Sequence, residues 1–265
     1  MTMNWERGGK FPAQYEDVNV NAFFRVFAQD LVERLALTPG DRMLDIATGT
    51  GIVLRTAREQ VPDLKRATGL DMSPGMLQVA RERAGEGFEF IEGDATQLPF
   101  ADGEFDVVTC QQGLQFVPER GKALAEMRRV GSGGGRVAVA CWRPLDRQAG
   151  AAAIARSAQE LAPELAGAAG APFSLDRDEL TALVETAGFA DVTVTEVKLD
   201  SHYPSAERLV EGFETGTPLA LVIPGLDQEA VAQWREAAIE ELRSFEGADG
   251  LTLPMVTTLV TATSP

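Results

Sequence analysis

The sequence predicts an α/β fold in which a mostly parallel β-sheet carries helices on both faces. Short apolar segments alternate with amphipathic helical segments between residues 42 and 142, as in parallel strands joined by crossover helices. The glycine-rich stretch "ATGTG" follows the first apolar segment, and an aspartate ends each of the first three. Right-handed crossovers place the carboxyl ends of such strands at one edge, where ligands of open α/β sheets bind.

The first 142 residues contain the regular part of this pattern. Apolar side chains recur every four positions from Phe23 to Leu35 and predict a helix over 22–36, whereas 1–20 is predicted to be irregular. Further strands and helices alternate after it, with strands at 42–47, 66–71, 88–94, 105–111 and 136–142 and helices at 52–60, 74–84 and 120–130. The stretch "GSGGG" before the fifth strand is predicted to be a turn.

Beyond residue 142 the elements are mixed: helices at 149–162 and 174–189, a strand at 191–199, a helical segment at about 204–246 and a final strand at 251–263. We predict a single domain over 1–265, with an N-terminal cap over 1–38 and the helical segment as an insertion before the last strand. Because this insertion far exceeds the usual connection length, we expect it to act as a lid.

Composition excludes several classes of function. A net charge of −16, without a cluster of Lys and Arg, argues against a nucleic-acid partner and against docking on an anionic membrane. No segment has the length and apolarity of a membrane span or a signal peptide, so a cytoplasmic protein is expected. Cys110 and Cys141 form no metal motif with the single histidine, His202, and are interpreted as small buried apolar residues.

A glycine-rich turn between a strand and a helix is also typical of dinucleotide-binding proteins. Their fingerprint is G-x-G-x-x-G, and Leu54 occupies the place of the third glycine here. That glycine allows close packing of helix and strand at a pyrophosphate site. An NAD-dependent oxidoreductase is therefore a less favoured alternative.

Three acids favour a ligand rich in hydrogen-bond donors. Asp45, Asp71 and Asp94 end three successive predicted strands and should reach the same edge of the sheet. Carboxylates accept hydrogen bonds and do not attract phosphate. A ribose diol could donate to Asp71, an adenine amine to Asp94, and an ammonium group could be held near Asp45.

The stretches "LDIATGTG", "GLDMS", "GDATQLPF", "FDVV" and "GGGRV" resemble, in this order and spacing, the class I S-adenosylmethionine-dependent methyltransferases. The small-molecule branch similar to the ubiquinone/menaquinone C-methyltransferases matches best in style, and the resemblance covers about residues 40–142. It implies a Rossmann-like sheet of seven strands with the last strand antiparallel. It also implies S-adenosyl-L-methionine as the cofactor and direct methyl transfer to a small molecule.

Cofactor-binding residues follow from this resemblance by position. Asp71 would bind the ribose hydroxyls, and Asp94 with Ala95 would bind the adenine. The other implied cofactor contacts are Asp45, Ala47, Thr48, Gly49 and Gly51 around the methionyl portion, Met72 and Leu98 on the adenine faces, and Gln111 beside the sulfonium. Ala47 departs from the family, which usually has glycine there, although a methyl group should still allow binding.

The acceptor is less well defined by the sequence. Its expected pocket residues are apolar or aromatic with a few polar points, as in most small-molecule sites: Phe24, Gln112, Trp142, Phe213, Thr217 and Leu219. Tyr15 and His202 are the catalytic candidates, with Tyr15 favoured over His202. We expect a small, largely apolar or planar metabolite such as a quinone or polyketide. A cofactor-binding protein that catalyses a non-methylating reaction, such as a cyclisation, stays open, as does the oligomeric state, with a homodimer as one option.

Overall fold

A computed structural model describes residues 11–159 and 161–265 of the chain. These residues form two compact units. The sheet unit comprises Arg25–Trp142, Leu175–Val197 and Thr257–Pro265. The helical unit comprises the described residues up to Phe24 together with Arg143–Ser174 and Lys198–Val256. The prediction of one domain with a cap and a lid concerns how these parts act together, and it stays a prediction.

The β-sheet confirms the predicted α/β class. Its strands are β1 (Arg42–Ile46), β2 (Arg66–Asp71), β3 (Glu89–Glu92), β4 (Phe105–Gln111), β5 (Gly131–Trp142), β6 (Ala190–Tyr203), β7 (Glu246–Gly247) and β8 (Gly250–Thr263). The described strands lie in the order β3-β2-β1-β4-β5-β8-β6, and β7 pairs with β8 as a short addition to the predicted seven. The pairings from β3 to β5 are parallel, and β8 is antiparallel to β5, as expected.

The described α-helices, with one π-helix, are α1 (Phe11–Tyr15), the π-helix (Glu16–Phe24), α2 (Arg25–Leu35), α3 (Ile52–Gln60), α4 (Pro74–Ala84), α5 (Arg120–Val130), α6 (Ala149–Ala158), α7 (Pro163–Gly170), α8 (Arg177–Thr186), α9 (Ala206–Gly216), α10 (Leu219–Val222) and α11 (Gln228–Arg243). Their ends follow local chemistry. Ser73 caps α4 by accepting from the Met76 N–H, and Pro74 occupies its first turn. Within residues 11–159 and 161–265, no helix has the length and apolarity needed to cross a membrane.

Alternation along the central strands builds the core of the sheet unit. Leu44, Val108 and Val139 are completely or almost completely buried and belong to one apolar cluster. The same cluster contains Leu124 of α5 and Leu180 of α8, so these two helices cover that face of the sheet. On each central strand, the residues that alternate with these apolar side chains point to the opposite face of the sheet.

The opposite face of the central strands carries helix α2. Trp142 ends β5 and meets the ring of Phe27 in α2 edge-on, with 5.1 Å between the ring centroids. Trp142 is 4% exposed. Helices therefore lie on both faces, as predicted.

The N-terminal region corrects the sequence analysis. Residues 11–15 are α-helical and Glu16–Phe24 forms a π-helix, where irregular chain was predicted up to residue 20. The predicted helix over 22–36 begins as an α-helix only at Arg25. The nine π-helical residues bury side chains on most sides, which removes the 3.6-residue periodicity that a sequence pattern can detect. Residues 1–10 of the predicted cap lie outside the described residues.

The glycine stretch "GSGGG" is a second correction, because it begins strand β5 rather than forming a turn before it. Gly134 donates its N–H to the carbonyl of Ser264, and Ser264 donates back to Gly135. Gly134 has φ +75°, and the β4–β5 register shifts at this end of the strand, as in a bulge. Pairing with the distant end of the chain therefore makes these residues a strand.

The helical unit is held by contacts between segments distant in sequence. Trp234 of α11 is fully buried and donates its indole N–H to the carbonyl of Ile154 in α6 over 3.3 Å. The predicted helix over 149–162 is shorter, because α6 ends at Ala158 and α7 starts at Pro163. Proline suits the first turn of a new helix and cannot continue the preceding hydrogen-bond ladder.

Candidate active site

Asp45 is a buried acid at the carboxyl end of β1. Its side chain is inside the sheet unit at 1% exposure, and each oxygen accepts a hydroxyl hydrogen bond of 2.7 Å, from Thr48 and from Thr109. Burial raises the pKa of Asp45 to about 7; the two hydroxyls lower it, and nearby Asp71 raises it. Asp45 thus ties the glycine-rich loop to β4 and leaves part of its hydrogen-bonding capacity for a ligand.

The loop after β1 has a left-handed backbone at three positions. Ala47, Gly49 and Gly51 have φ values of +54°, +55° and +81°. A methyl group placed on Gly49 would meet no atom within 4 Å, whereas one on Gly51 would lie 3.2 Å from the ring of Phe90. Gly49 therefore presents its backbone to open space, and Gly51 allows α3 to begin close to β3.

Asp71 lies across this loop at the end of β2. One of its oxygens accepts the Gly49 N–H at 2.8 Å, and the other accepts the Ser73 N–H at 2.9 Å. Burial raises the pKa of Asp71, although these N–H groups act in the opposite direction. Asp71 and Gly49, predicted to contact the same cofactor, are thus in direct contact. The next residue, Met72, is 56% exposed, so much of its apolar side chain is available for a contact.

The third acid differs from the other two. Asp94 follows β3 in an exposed turn and accepts the Thr96 N–H at 2.7 Å. Ala95 beside it is half-buried, whereas Leu98 is 4% exposed and part of the apolar core. The predicted adenine contacts of these three residues stay predictions, and Leu98 has little surface left for a ligand.

Glutamines gather where β4 ends. Gln111 is the last residue of the strand and is 8% exposed. Gln112 has φ +49° and donates its side-chain amide to Thr257 Oγ1 at 3.3 Å. Gln115, which the sequence analysis did not single out, is 5% exposed, and neither its Oε1 nor its Nε2 has a hydrogen-bond partner among the described residues. Buried amides are normally paired, so Gln115 joins the candidate site on structural grounds.

The remaining acceptor candidates belong to the helical unit, apart from Trp142. Tyr15 of α1 lies 5.2 Å from Phe24 between ring centroids, and both rings are half-buried. Phe213 is 5% exposed and Leu219 fully buried. Thr217 donates its hydroxyl to the Phe213 carbonyl at 2.6 Å and so closes the end of α9. Their contact with an acceptor stays a prediction.

His202 does not follow the sixth strand, as predicted, but lies within β6. Its side chain is exposed, and Nδ1 is 3.0 Å from the hydroxyl of Thr252 on β8. The strand continues because Ser201, on the buried side, donates to the Leu253 carbonyl at 2.8 Å. Catalysis by Tyr15 or His202 stays a prediction.

The two cysteines are free and buried, as expected from their apolar surroundings. Burial raises the pKa of the Cys110 thiol to about 12, so it stays protonated at neutral pH. The described residues contain no group of three or more His, Cys, Asp or Glu side chains placed to hold a metal ion.

Comparison with known proteins places this geometry in a family. A family model described as a methyltransferase domain matches residues 44–139, which include the glycine-rich loop and the three acids. Over 176 residues the chain is 35% identical to a demethylmenaquinone methyltransferase of Paenarthrobacter aurescens, covering 62% of this chain and 68% of that protein. The chain belongs to the class I S-adenosylmethionine-dependent methyltransferases of the ubiquinone/menaquinone type.

A second relative matches over a shorter stretch at higher identity. A demethylmenaquinone methyltransferase of Renibacterium salmoninarum is 47% identical over 111 residues, which cover 42% of this chain. The chain spans only 45% of that relative's length.

A solved phosphoethanolamine N-methyltransferase of Haemonchus contortus, in complex with S-adenosylhomocysteine, has the same fold. Its TM-score is 0.62 at 20% identity, over 96% of this chain and 57% of that one.

Proposed function

We propose that this protein transfers a methyl group from S-adenosyl-L-methionine to a small, largely apolar or planar acceptor with a quinone-type ring. The observation that carries the proposal is the direct contact between Asp71 and the open backbone of Gly49 at the carboxyl edge of the sheet. The names of the similar proteins support a quinone-type acceptor.

The residues present fit this cofactor at its nucleoside end. Each Asp71 oxygen accepts one backbone N–H, and a carboxylate oxygen has room for a second donor, such as a ribose hydroxyl. Exposed Met72 would pack against one adenine face, with Asp94 near the exocyclic amine. The polar and apolar surfaces thus match a nucleoside without needing a cationic side chain.

The methionyl end fits the loop and the start of α3. Gly49 has space above its backbone, and the N-cap of α3, Gly51, offers no side chain to the N–H groups of the first turn. These N–H groups and the helix dipole favour a carboxylate. Asp45 would act mainly by holding Thr48, and with it the loop, in this conformation.

The cofactor, when bound, supplies a methyl group activated on a sulfonium. The acceptor atom that would take this methyl group also has to lose a proton, so the chain would have to hold that atom beside the methyl group and accept the proton. The protein's part is to orient the acceptor and exclude water, and positioning alone contributes roughly 7–11 kcal/mol to lowering such barriers. We propose Tyr15 as the residue that positions or deprotonates the acceptor, ahead of His202.

Titration calorimetry with S-adenosylhomocysteine and with NADH tests the cofactor. We expect S-adenosylhomocysteine to bind and NADH not to bind. Asp71→Ala should weaken S-adenosylhomocysteine binding by about 1.5–3 kcal/mol, the usual value of a hydrogen bond to a charged group. Asp63→Ala, which removes an exposed acid from the turn before β2, is the matched control and should leave affinity unchanged. Tighter binding of NADH would overturn the cofactor assignment.

Transfer of a labelled methyl group tests the reaction itself. Incubation with methyl-labelled S-adenosylmethionine and a hydroquinone should place the label in the organic product. Product without label would favour the non-methylating alternative. The lid role of residues 204–246, the cytoplasmic location and the homodimer stay predictions; the lid predicts slower hydrogen exchange in this segment when cofactor and acceptor are both bound.

A further inference from the structure

Thr109 of β4 carries a hydroxyl group into the buried centre of the sheet. It is completely buried, and its neighbours Val108 and Cys110 are buried residues of the apolar cluster. Valine has the same branched shape and would fill this position without a polar atom. A buried hydroxyl destabilises a fold unless it has a hydrogen-bond partner, so the partner of Thr109 indicates its role.

That partner is Asp45, which lies directly opposite Thr109 in the parallel pair of β1 and β4. The Thr109 hydroxyl donates to Asp45 Oδ1 at 2.7 Å, and the carbonyl of Leu44 lies 3.4 Å away as a second acceptor. When Asp45 carries a proton, it can donate that proton to Thr109, which then turns its own proton to Leu44. The contact between Thr109 and Asp45 is therefore retained in both charge states of the acid.

Asp45 in turn holds Thr48 of the glycine-rich loop. Its other oxygen accepts the Thr48 hydroxyl, also at 2.7 Å. The backbone of Thr48 is fixed as well, because its N–H donates to the Leu70 carbonyl at 3.1 Å and its carbonyl accepts the Gly51 N–H at 2.8 Å. A methyl group on Gly69 would lie 2.8 Å from Thr48 Cγ2, so the side chain has no room to turn towards β2. The orientation of Asp45 thus sets the orientation of the Thr48 side chain.

We propose that Thr109 is a positioning residue for the cofactor, which acts through Asp45 on the glycine-rich loop. The inference rests on the proposed function for the identity of the cofactor. Gly49 directly follows Thr48 and has open space above its backbone, where the methionyl portion would lie. Its N–H donates to Asp71 at 2.8 Å, so the loop is held on both sides of this opening. In this role Thr109 affects binding without contacting the cofactor itself.

Binding of S-adenosylhomocysteine, measured by titration calorimetry on the full chain, tests the role of the hydroxyl. Thr109→Val keeps the branched shape and removes the hydroxyl, and it should weaken binding about tenfold, as the loss of a hydrogen bond to a charged group does. Thr109→Ser keeps the hydroxyl and removes a methyl group, and it should retain the natural affinity. Thr68→Val is the matched control and should also retain it. Thr68 is equally buried on neighbouring β2, but its hydroxyl donates to Glu89 at 3.2 Å rather than to Asp45.

The pKa of Asp45 is a second readout, which a mere packing role of Thr109 would not change. It is measured by NMR of the carboxyl carbon in the chain without ligand. The Thr109 hydroxyl favours the charged form of the acid, so the pKa should rise above about 7 in Thr109→Val and stay near 7 in Thr109→Ser. Asp71 of β2 and Cys110 of β4, the titratable groups that face Asp45 from the adjoining strands, are the same in every variant.

Thr109→Ala covers the case in which Thr109→Val is poorly folded, because alanine and serine at this position differ only in the hydroxyl. Natural affinity for S-adenosylhomocysteine in folded Thr109→Val would overturn the proposal. Weaker binding by Thr109→Ser than by Thr109→Val would overturn it as well, since packing rather than the hydroxyl would then matter. Failure of S-adenosylhomocysteine to bind the natural chain would instead overturn the proposed function, whereas the pKa of Asp45 would still show whether Thr109 holds the acid.

Discussion

The two aspartates at the carboxyl edge of the sheet unit differ from two buried polar groups of the helical unit in how many hydrogen bonds they accept. At the sheet edge, Asp45 and Asp71 each accept hydrogen bonds from nearby residues, which fix both side chains without a ligand. In the helical unit, the hydroxyl of Tyr203 and the side-chain oxygen of Asn19 are buried without partners among the described residues. The difference teaches that the two acids are pre-organised by the fold, whereas Tyr203 and Asn19, like Gln115 at the sheet edge, keep hydrogen-bonding capacity that the described residues do not use.

Backbone strain shows the same contrast. Four described residues other than glycine have positive φ: Ala36, Ala47, Gln112 and Asp191. Ala47 and Gln112 follow β1 and β4, neighbours at the centre of the sheet. A positive φ strains a residue other than glycine, and it persists only where the surrounding packing fixes the backbone. Such residues are typical of functional sites. The sheet unit thus retains strain to shape its edge.

The largest expected effect is on the pH dependence of the unfolding free energy, through the buried carboxyl group of Asp45. It tests whether the sheet edge holds this acid as the structure indicates. Its pKa rises from 3.8 to about 7 on folding, so the folded state holds the proton more tightly. The contribution of this carboxyl to stability is greatest below pH 3.8 and falls as pH rises towards 7. The unfolding free energy of the natural chain, relative to Asp45→Asn, should therefore fall by up to about 4 kcal/mol over this range. Denaturant titrations without cofactor measure it; a pH-independent difference would contradict a buried, titrating Asp45.

The second-largest expected effect on stability concerns the close packing of two glycines in α9. On α9, Gly212 and Gly216 face Asn19, whose amide donates to the Gly212 carbonyl at 2.9 Å. A methyl group on Gly216 would lie 1.6 Å from Asn19 Nδ2. Gly216→Ala should therefore destabilise the protein by about 1–3 kcal/mol, as overpacking does.

Gly167, inside α7, is the matched control for this substitution. A methyl group there meets no atom within 4 Å. Gly167→Ala should stabilise by about 0.5–1 kcal/mol, because alanine loses less backbone entropy in a helix. The urea concentrations at the unfolding midpoints of Gly216→Ala and Gly167→Ala measure the two effects. Equal midpoints would show that Asn19 moves aside from the new methyl group at no cost.

The contrast also explains what the sequence could predict. The strand–loop–helix unit from β1 to α3 and the acid of β2 lie within about thirty residues of chain, and local patterns were sufficient to locate them. Gln115 could not be found in this way, because its lack of partners is a property of the packed structure. The strand conformation of Gly134 likewise depends on pairing with Ser264, far away in sequence.

The third prediction separates the two catalytic candidates of the helical unit. His202 is exposed and shares a hydrogen bond with Thr252, so His202→Ala should leave most methyl transfer intact. Tyr15→Phe should lower turnover about tenfold, the value of one lost hydrogen bond of about 1.4 kcal/mol. Initial rates at saturating cofactor measure both. A hundredfold loss for His202→Ala with unchanged cofactor affinity would identify His202 as the general base.

The smallest effect concerns the strain at Ala47, with Ala36 as its matched control. Both are alanines with positive φ, +47° at Ala36 and +54° at Ala47, and glycine would relieve the conformation in each case. Ala36 is exposed after α2, so Ala36→Gly should raise the unfolding free energy by about 1 kcal/mol, net of the added freedom of the unfolded chain.

Ala47→Gly should gain less than half of this, because its methyl group is packed against Gly113. A methyl group built on Gly113 would lie 2.4 Å from that of Ala47, so the two positions fit together only if one lacks a side chain. Removing the Ala47 methyl gives up packing worth about 0.8 kcal/mol, which offsets most of the relieved strain. Thermal unfolding of both variants measures the difference. An equal gain in unfolding free energy at the two positions would mean that the Ala47 methyl group contributes no packing. The strain of alanine at position 47 would then have no compensating contact.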